Sequence, residues 1–173
     1  MVLEPKTLTV MLRHAKKMGG KFLSGIYYQR MGQHRPVVGV NSAVSSKDGA
    51  TMQLADEYSF VPVAVSESAT TPFRVDMCGF GCVLLHRSVF EGMKYPYFRF
   101  LFSEEEGKSD SYISEDTYFC AKARGLGVEI WAVPELKCGH LGQPPIISAK
   151  DFVIEESSCC EIQAQRPEGP ASV

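Results

Sequence analysis

From Pro5 onward the apolar positions fall at Leu8, Met11, Leu12, Ala15 and Met18, a three-and-four spacing that predicts one amphipathic helix, stopped by Gly19-Gly20. The pattern then shortens. Phe22 to Tyr28 and Pro36 to Val40 read as extended segments around Arg30-Met31-Gly32-Gln33, a strand, a turn and a return strand. Asn41 to Ala55 is small and polar and predicts a loop. Tyr58 to Val65 is rich in β-formers, with Pro62 confining it to an edge or broken strand.

A second polar stretch, Ser66 to Thr71, leads into Phe73 to Cys78, then Gly79-Phe80-Gly81, then the apolar run Cys82 to Leu85: strand, glycine loop, strand. Arg87 to Met93 predicts a short helical turn. Ser114 is a natural N-cap, with Glu115 and Asp116 in the first turn, where the helix dipole and unpaired backbone N–H groups favour negative charge. Phe119, Ala123 and Leu126 are the expected buried stripe, and Gly125 and Gly127 end the helix. Val128 to Val133 follows as a strand stopped by Pro134. Residues 155–173 carry few large apolar residues and two prolines, which predicts a disordered tail behind a domain spanning 1–154. Alternating helices and apolar strands imply an α/β protein, a sheet with helices packed on it.

The 173 residues suffice for one domain with a useful core but are few for an enzyme binding two substrates. A content of 45% hydrophobic and 22% charged residues is that of an ordinary globular protein. The formal net charge of −2 argues against nucleic acid as the main partner. Arg13, His14, Lys16 and Lys17 form the one basic cluster and read as the solvated face of a helix. No apolar run approaches the roughly 20 residues that span a bilayer, and no secretory leader is visible, so a cytoplasmic setting with mostly free thiols is expected.

The candidate chemistry is an acid pair, Glu115-Asp116, at a helix start and an imidazole, His140, between Gly139 and Gly142 after a strand. That spacing suits metal-assisted group transfer. Each has a plainer reading: acids favour helix starts whether or not they react, and a lone histidine is often structural. Gly79 and Gly81 let backbone approach a ligand closely or simply connect two strands, and Phe80 is either an acceptor-side wall or core. The third glycine of a dinucleotide fingerprint would fall at Leu84, so that reading fails. A different class of protein is conceivable: Cys78, Cys82, Cys138 and His140 have the ligand types of a Cys₃His structural zinc site, though Cys-x₃-Cys is looser than a usual knuckle. A catalytic cysteine is disfavoured because none opens a helix, and Cys159-Cys160 sits in the expected tail.

Taken in order, Cys78-Gly79-Phe80-Gly81-Cys82, Arg87-Ser88-Val89-Phe90, Ser114-Glu115-Asp116 and His140 resemble the C-terminal, acceptor-binding half of a nucleotide-sugar glycosyltransferase of the GT-A fold, a Rossmann-related mixed sheet flanked by helices. The resemblance covers roughly residues 1–142. It implies that Met77 to Gly81 lies against the acceptor and donor sugar, that Asp116 is the general base of an inverting transfer with Glu115 as its partner, and that His140 helps hold Mn²⁺ or Mg²⁺. The implied partners are a nucleotide-sugar donor and a glycan, protein or small-molecule acceptor. Such enzymes carry an Asp-X-Asp motif just ahead of a stretch resembling Met1 to Pro5, and no Asp-X-Asp in that context occurs in this chain; Asp110 comes too late. The alternative to a transferase is a noncatalytic remnant or binding module with the same pocket.

Overall fold

The structure, a computed structural model, describes residues 1–30, 34–40, 44–46, 52–54, 61–63, 65–66, 68–102, 112–141 and 146–147. In chain order the elements are helix α1 (Thr7–Met18), strands β1 (Phe22–Ile26), β2 (Val38–Val40), β3 (Val44–Ser46), β4 (Met52–Leu54), β5 (Val61–Pro62), β6 (Phe73–Val75), β7 (Met77–Cys78) and β8 (Val83–Leu85), helix α2 (Ser88–Glu91), strands β9 (Leu101–Phe102) and β10 (Tyr112–Ile113), helix α3 (Glu115–Gly125), and strands β11 (Ile130–Lys137), β12 (His140–Leu141) and β13 (Ile146–Ile147). Met31 to Gln33 of the expected turn, Tyr58 to Phe60, Gly142 and the expected tail with Cys159 and Cys160 lie outside the described residues.

The protein is a mixed α/β structure. Its main sheet runs β6-β11-β1-β8, with β1 and β11 parallel and the outer strands antiparallel to them. Every residue of β1 is buried, because both faces of the sheet are covered. Alternate residues serve opposite sides: Phe22 and Ile26 join Phe119, Cys120, Ala123 and Ile130 under α3, while Leu23 and Tyr27 join Val10, Met11 and Val133 under α1. A smaller sheet, β5-β2-β7, carries Met77 and Cys78, and Val75 and Met77 therefore belong to different sheets although Asp76 alone separates them.

Several expectations need correction. Helix α1 ends at Gly19 (φ 64°), as its glycines predict, but it buries Thr7, Val10 and Met11 and leaves Leu8 and Leu12 60% and 52% exposed. Its sequence carries apolar residues on two adjacent rows, and the buried row is the one that also brings Arg13 and His14 to Glu135, at 2.6 and 3.0 Å. Pro134 does not stop the last long strand, which continues to Lys137. Gly25 pairs with Val133 and Ile26 with Lys137, so Pro134 sits in a bulge where its missing N–H costs no ladder bond. The same bulge turns Glu135 outward toward α1. Within the expected loop, β3 and β4 pair as a short antiparallel ribbon. Pro62 does lie in an edge strand, opposite Gly39. Leu126 is 37% exposed and caps the helix rather than filling the core. Among the described residues the strand and return strand meet near the turn, through Tyr28 opposite Pro36, the Val37 N–H bonded to the Tyr27 carbonyl and the Gln29 N–H bonded to the Arg35 carbonyl, while β1 and β2 belong to separate sheets.

Phe119 is fully buried with its ring against Phe22, Phe80, Phe90 and Phe98. Phe119→Ala is expected to cost about 3–5 kcal/mol in urea unfolding, whereas Leu12→Ala should change stability by less than about 0.5 kcal/mol, the reverse of what the apolar spacing alone suggests.

Candidate functional site

Ser114, extended at φ −68° and ψ 160°, caps α3 by accepting the Thr117 N–H at 3.4 Å. The Thr117 hydroxyl lies 3.0 Å from Ser114 Oγ and donates to Met77 Sδ at 3.0 Å, which fastens the first turn of α3 to β7. Asp116, one residue into that turn from Glu115, then reaches the glycine loop: its Oδ2 accepts the Phe80 N–H at 3.2 Å. The next N–H along, that of Gly81, donates to the Tyr27 phenol oxygen at 3.2 Å. The Tyr27 ring in turn meets His140 edge-on, with centroids 5.6 Å apart. Asp116, the glycine loop and the imidazole are therefore brought together around one tyrosine.

Tyr27 is the residue that sequence reasoning missed, since a tyrosine just past a strand carries no distinguishing signal. It also explains the glycines. A Cβ on Gly79 would run into the Tyr27 hydroxyl and come within 2.6 Å of Val37 Cγ1, and one on Gly81 would strike the Tyr27 ring at 2.9 Å and the Met1 side chain. Positive φ is confined to Gly19 and Gly127 among the described glycines, so close approach to Tyr27 is what Gly79 and Gly81 provide. Met77 and Cys78 send their side chains into the core, the latter with the Cys120 thiol donating to its carbonyl at 3.5 Å. The loop N–H groups are taken by Val37, Asp116 and Tyr27, and the Phe80 ring is left partly buried.

The electrostatics differ from the expectation for a helix start. Burial lifts the Asp116 carboxyl above the ordinary aspartate range; the Phe80 N–H pulls it back down, and the negative charge of Glu115 raises it again. Desolvation outweighs the favourable helix terminus. Burial also drives the Tyr27 phenol up, against the lowering effect of the Gly81 N–H, and the Asp116 charge adds to the rise. Tyr27 thus stays neutral.

His140 Nδ1 lies 2.7 Å from the Tyr28 carbonyl oxygen. A carbonyl only accepts, so Nδ1 carries a proton, and Nε2 is the ring nitrogen left to face a ligand. The backbone beside it is pinned by Val2 and Gly139, which exchange N–H···O bonds of 2.7 and 3.1 Å. Among the described residues no three His, Cys, Asp or Glu side chains gather to hold a metal ion, and one imidazole does not hold one alone. The Cys₃His zinc arrangement is not formed. Cys82 and Cys138 flank Gly25, where a Cβ would meet their sulfurs at 3.0 and 3.1 Å, while Cys78 faces Cys120 and Ser24 in the other core cluster. The hydrogen bond from Cys138 lowers Cys82 to about 7 and raises Cys138 correspondingly, a relation between two thiols that leaves Cys78 and His140 out.

No protein-family model matches the chain, and none of the curated proteins does. Among solved structures it is similar to the crystal structure of A197 from STIV, with 18% sequence identity and a TM-score of 0.45 over 84% of this chain and 59% of that one. The chain thus spans less than two thirds of that protein's length. No described helix is long and apolar enough to cross a membrane.

Two outcomes test this geometry. Gly79→Ala should destabilise the protein far more than Gly127→Ala, beyond which there is open space, despite the positive φ at Gly127; thermal melts of both variants check it. Because the folded state raises the Asp116 pKa, its charge weakens the fold above the folded-state pKa and has no effect below the unfolded value. Asp116→Asn should therefore melt above wild type at neutral pH, with the gap closing as pH falls toward about 4.

Proposed function

We propose that the protein is the acceptor-binding portion of a GT-A-like, inverting glycosyltransferase, moving a sugar from a nucleotide-sugar donor to a hydroxyl of a glycan, protein or small-molecule acceptor. The observation that carries this reading is the contact between Asp116 and the glycine loop. Oδ2 is occupied by the Phe80 N–H, so Oδ1 is the oxygen left to take a proton, held on a rigid helix end against the loop that the resemblance assigns to the sugars. A carboxylate made more basic by burial suits general-base work.

In that reaction Asp116 Oδ1 removes the acceptor hydroxyl proton as the oxygen attacks the anomeric carbon, and the bond to the nucleoside diphosphate breaks with its electron pair leaving on the diphosphate. Glu115, beside the base, raises its proton affinity, and the resemblance makes it the partner of that base. Neutralising the departing diphosphate is the task the resemblance gives to Mn²⁺ or Mg²⁺. His140 is prepared as one nitrogen ligand for such an ion. An Asp-X-Asp carried ahead of Met1 would enter beside it, since Val2 is bridged to Gly139. The free thiols Cys78, Cys82, Cys120 and Cys138 support a reducing, cytoplasmic setting.

The second reading, a noncatalytic binding module, is favoured by the described residues bringing no three metal-type ligands together. Assays with a panel of nucleotide sugars and acceptors, with and without added Mn²⁺, separate the two. The transferase reading expects Mn²⁺-dependent transfer, in the chain alone or with an Asp-X-Asp segment joined ahead of it, that falls by at least about a hundredfold in Asp116→Asn. Unchanged turnover in Asp116→Asn would remove Asp116 as the base; no turnover in any form would leave the binding module.

A further inference from the structure

Helix α3 carries more than the acid. One turn after Asp116, Phe119 forms the floor of an aromatic stack, and one turn further Lys122 is 1% exposed, an unusual burial for a lysine. Its ammonium group donates to the Lys94 carbonyl at 2.5 Å and the Pro96 carbonyl at 2.8 Å and lies 5.3 Å from the centre of the Tyr118 ring. A buried cation with these partners ties the segment Lys94 to Pro96 to the side of α3. The residues that follow then lie over the helix: the Phe98 ring stacks on Phe119 with centroids 4.8 Å apart and planes 17° from parallel, and meets Phe80 edge-on at 5.2 Å. Phe98 is nonetheless 42% exposed. Phe80 is the residue whose N–H is bound by Asp116, so an exposed ring, immobilised from below and from the side, stands one residue away from the carboxylate.

We propose that Phe98 is an acceptor platform, on which the apolar C–H face of a pyranose ring stacks so that one of its hydroxyls reaches Asp116. This rests on the transferase reading and narrows its acceptor to a sugar. The chemistry follows from the shape. The face of an aromatic ring is electron-rich and attracts polarised C–H groups, and a β-glucoside or β-galactoside presents its axial hydrogens H1, H3 and H5 on one side and hydroxyls around the rim. A ring fixed in advance by Phe119 and Lys122 loses little entropy on stacking. Lys122 is a positioning residue, since it acts on the platform only through the backbone of Lys94 and Pro96.

The test is saturation-transfer NMR on the intact chain with methyl β-glucopyranoside, methyl β-galactopyranoside and octyl β-glucopyranoside. Saturation should concentrate on H1, H3 and H5 of the pyranosides. Phe98→Leu, which keeps apolar bulk and removes the ring, should weaken binding about tenfold, and Phe98→Tyr should restore it. Equal binding by Phe98→Leu, saturation confined to the octyl chain, or none on any pyranoside would each overturn the platform. Because the readout is binding and not turnover, its failure is separable from that of the transferase reading. A chain that transfers sugar to another kind of hydroxyl but gives no pyranoside saturation sinks the platform alone, whereas one that binds pyranosides through Phe98 and transfers nothing, alone or with an Asp-X-Asp segment joined ahead of it, sinks the transferase.

Discussion

The burial of Phe119 is the contact on which the rest of the architecture depends. Its ring touches Phe22 of the central strand, Phe80 of the glycine loop, Phe90 of α2 and Phe98 beyond it, so a single side chain joins four segments to α3. Each aromatic pair contributes only about 0.5–1.5 kcal/mol beyond the area it buries. Their convergence on one residue makes them cooperative, because α3 cannot rotate or slide without disturbing all four. The helix axis being fixed, its first turn is fixed too, and Asp116 inherits its position from a phenylalanine three residues away.

The glycine loop has two owners. Its N–H groups are shared between Asp116 on one side and Tyr27 on the other, and the missing side chains of Gly79 and Gly81 are what allow the Tyr27 phenol to lie against the backbone. The space those two glycines leave is filled by a tyrosine. The consequence for the site is rigidity: a loop hydrogen-bonded at consecutive residues to a helix-borne carboxylate and a buried phenol is set before any ligand arrives. His140 is held in the same manner, its Nδ1 proton given to Tyr28 and its neighbour Gly139 paired with Val2. Adjacent tyrosines at the end of one strand thus serve the loop and the imidazole.

Much of this was legible in the chain, for identifiable reasons. Local signals held: the Ser114 cap with its acids, Gly19 after α1, the strand-loop-strand around Gly79 to Gly81 and the edge placement of Pro62 depend on a few neighbouring residues. Signals that depend on partners far along the chain did not. Which apolar row of α1 faces inward was decided by β1, β11 and the Glu135 pair; Pro134 was absorbed by a bulge that only the register of β1 and β11 reveals. The site divided along the same line. The acid pair, the loop and the histidine were visible as residue types, while Tyr27, Phe98 and the Lys122 clamp were not, because a tyrosine, a phenylalanine and a lysine acquire their roles from what they touch. The zinc alternative failed for a related reason: shared ligand chemistry in the sequence does not bring Cys78 and Cys82 to the same face of the sheet.

Asp116 sits at the balance of opposing forces, a helix start and a backbone N–H that favour its charge and a burial that opposes it, with burial the stronger. That balance makes the carboxylate a better proton acceptor than an ordinary aspartate, and the loop contact fixes its position. The most direct test is the pH titration of the Phe80 backbone amide in ¹H–¹⁵N spectra. The Phe80 amide should shift with the protonation of Asp116, with a midpoint above the ordinary aspartate value of about 3.9, and the step should vanish in Asp116→Asn. An amide that does not respond, or that responds at or below the ordinary value, would contradict the account.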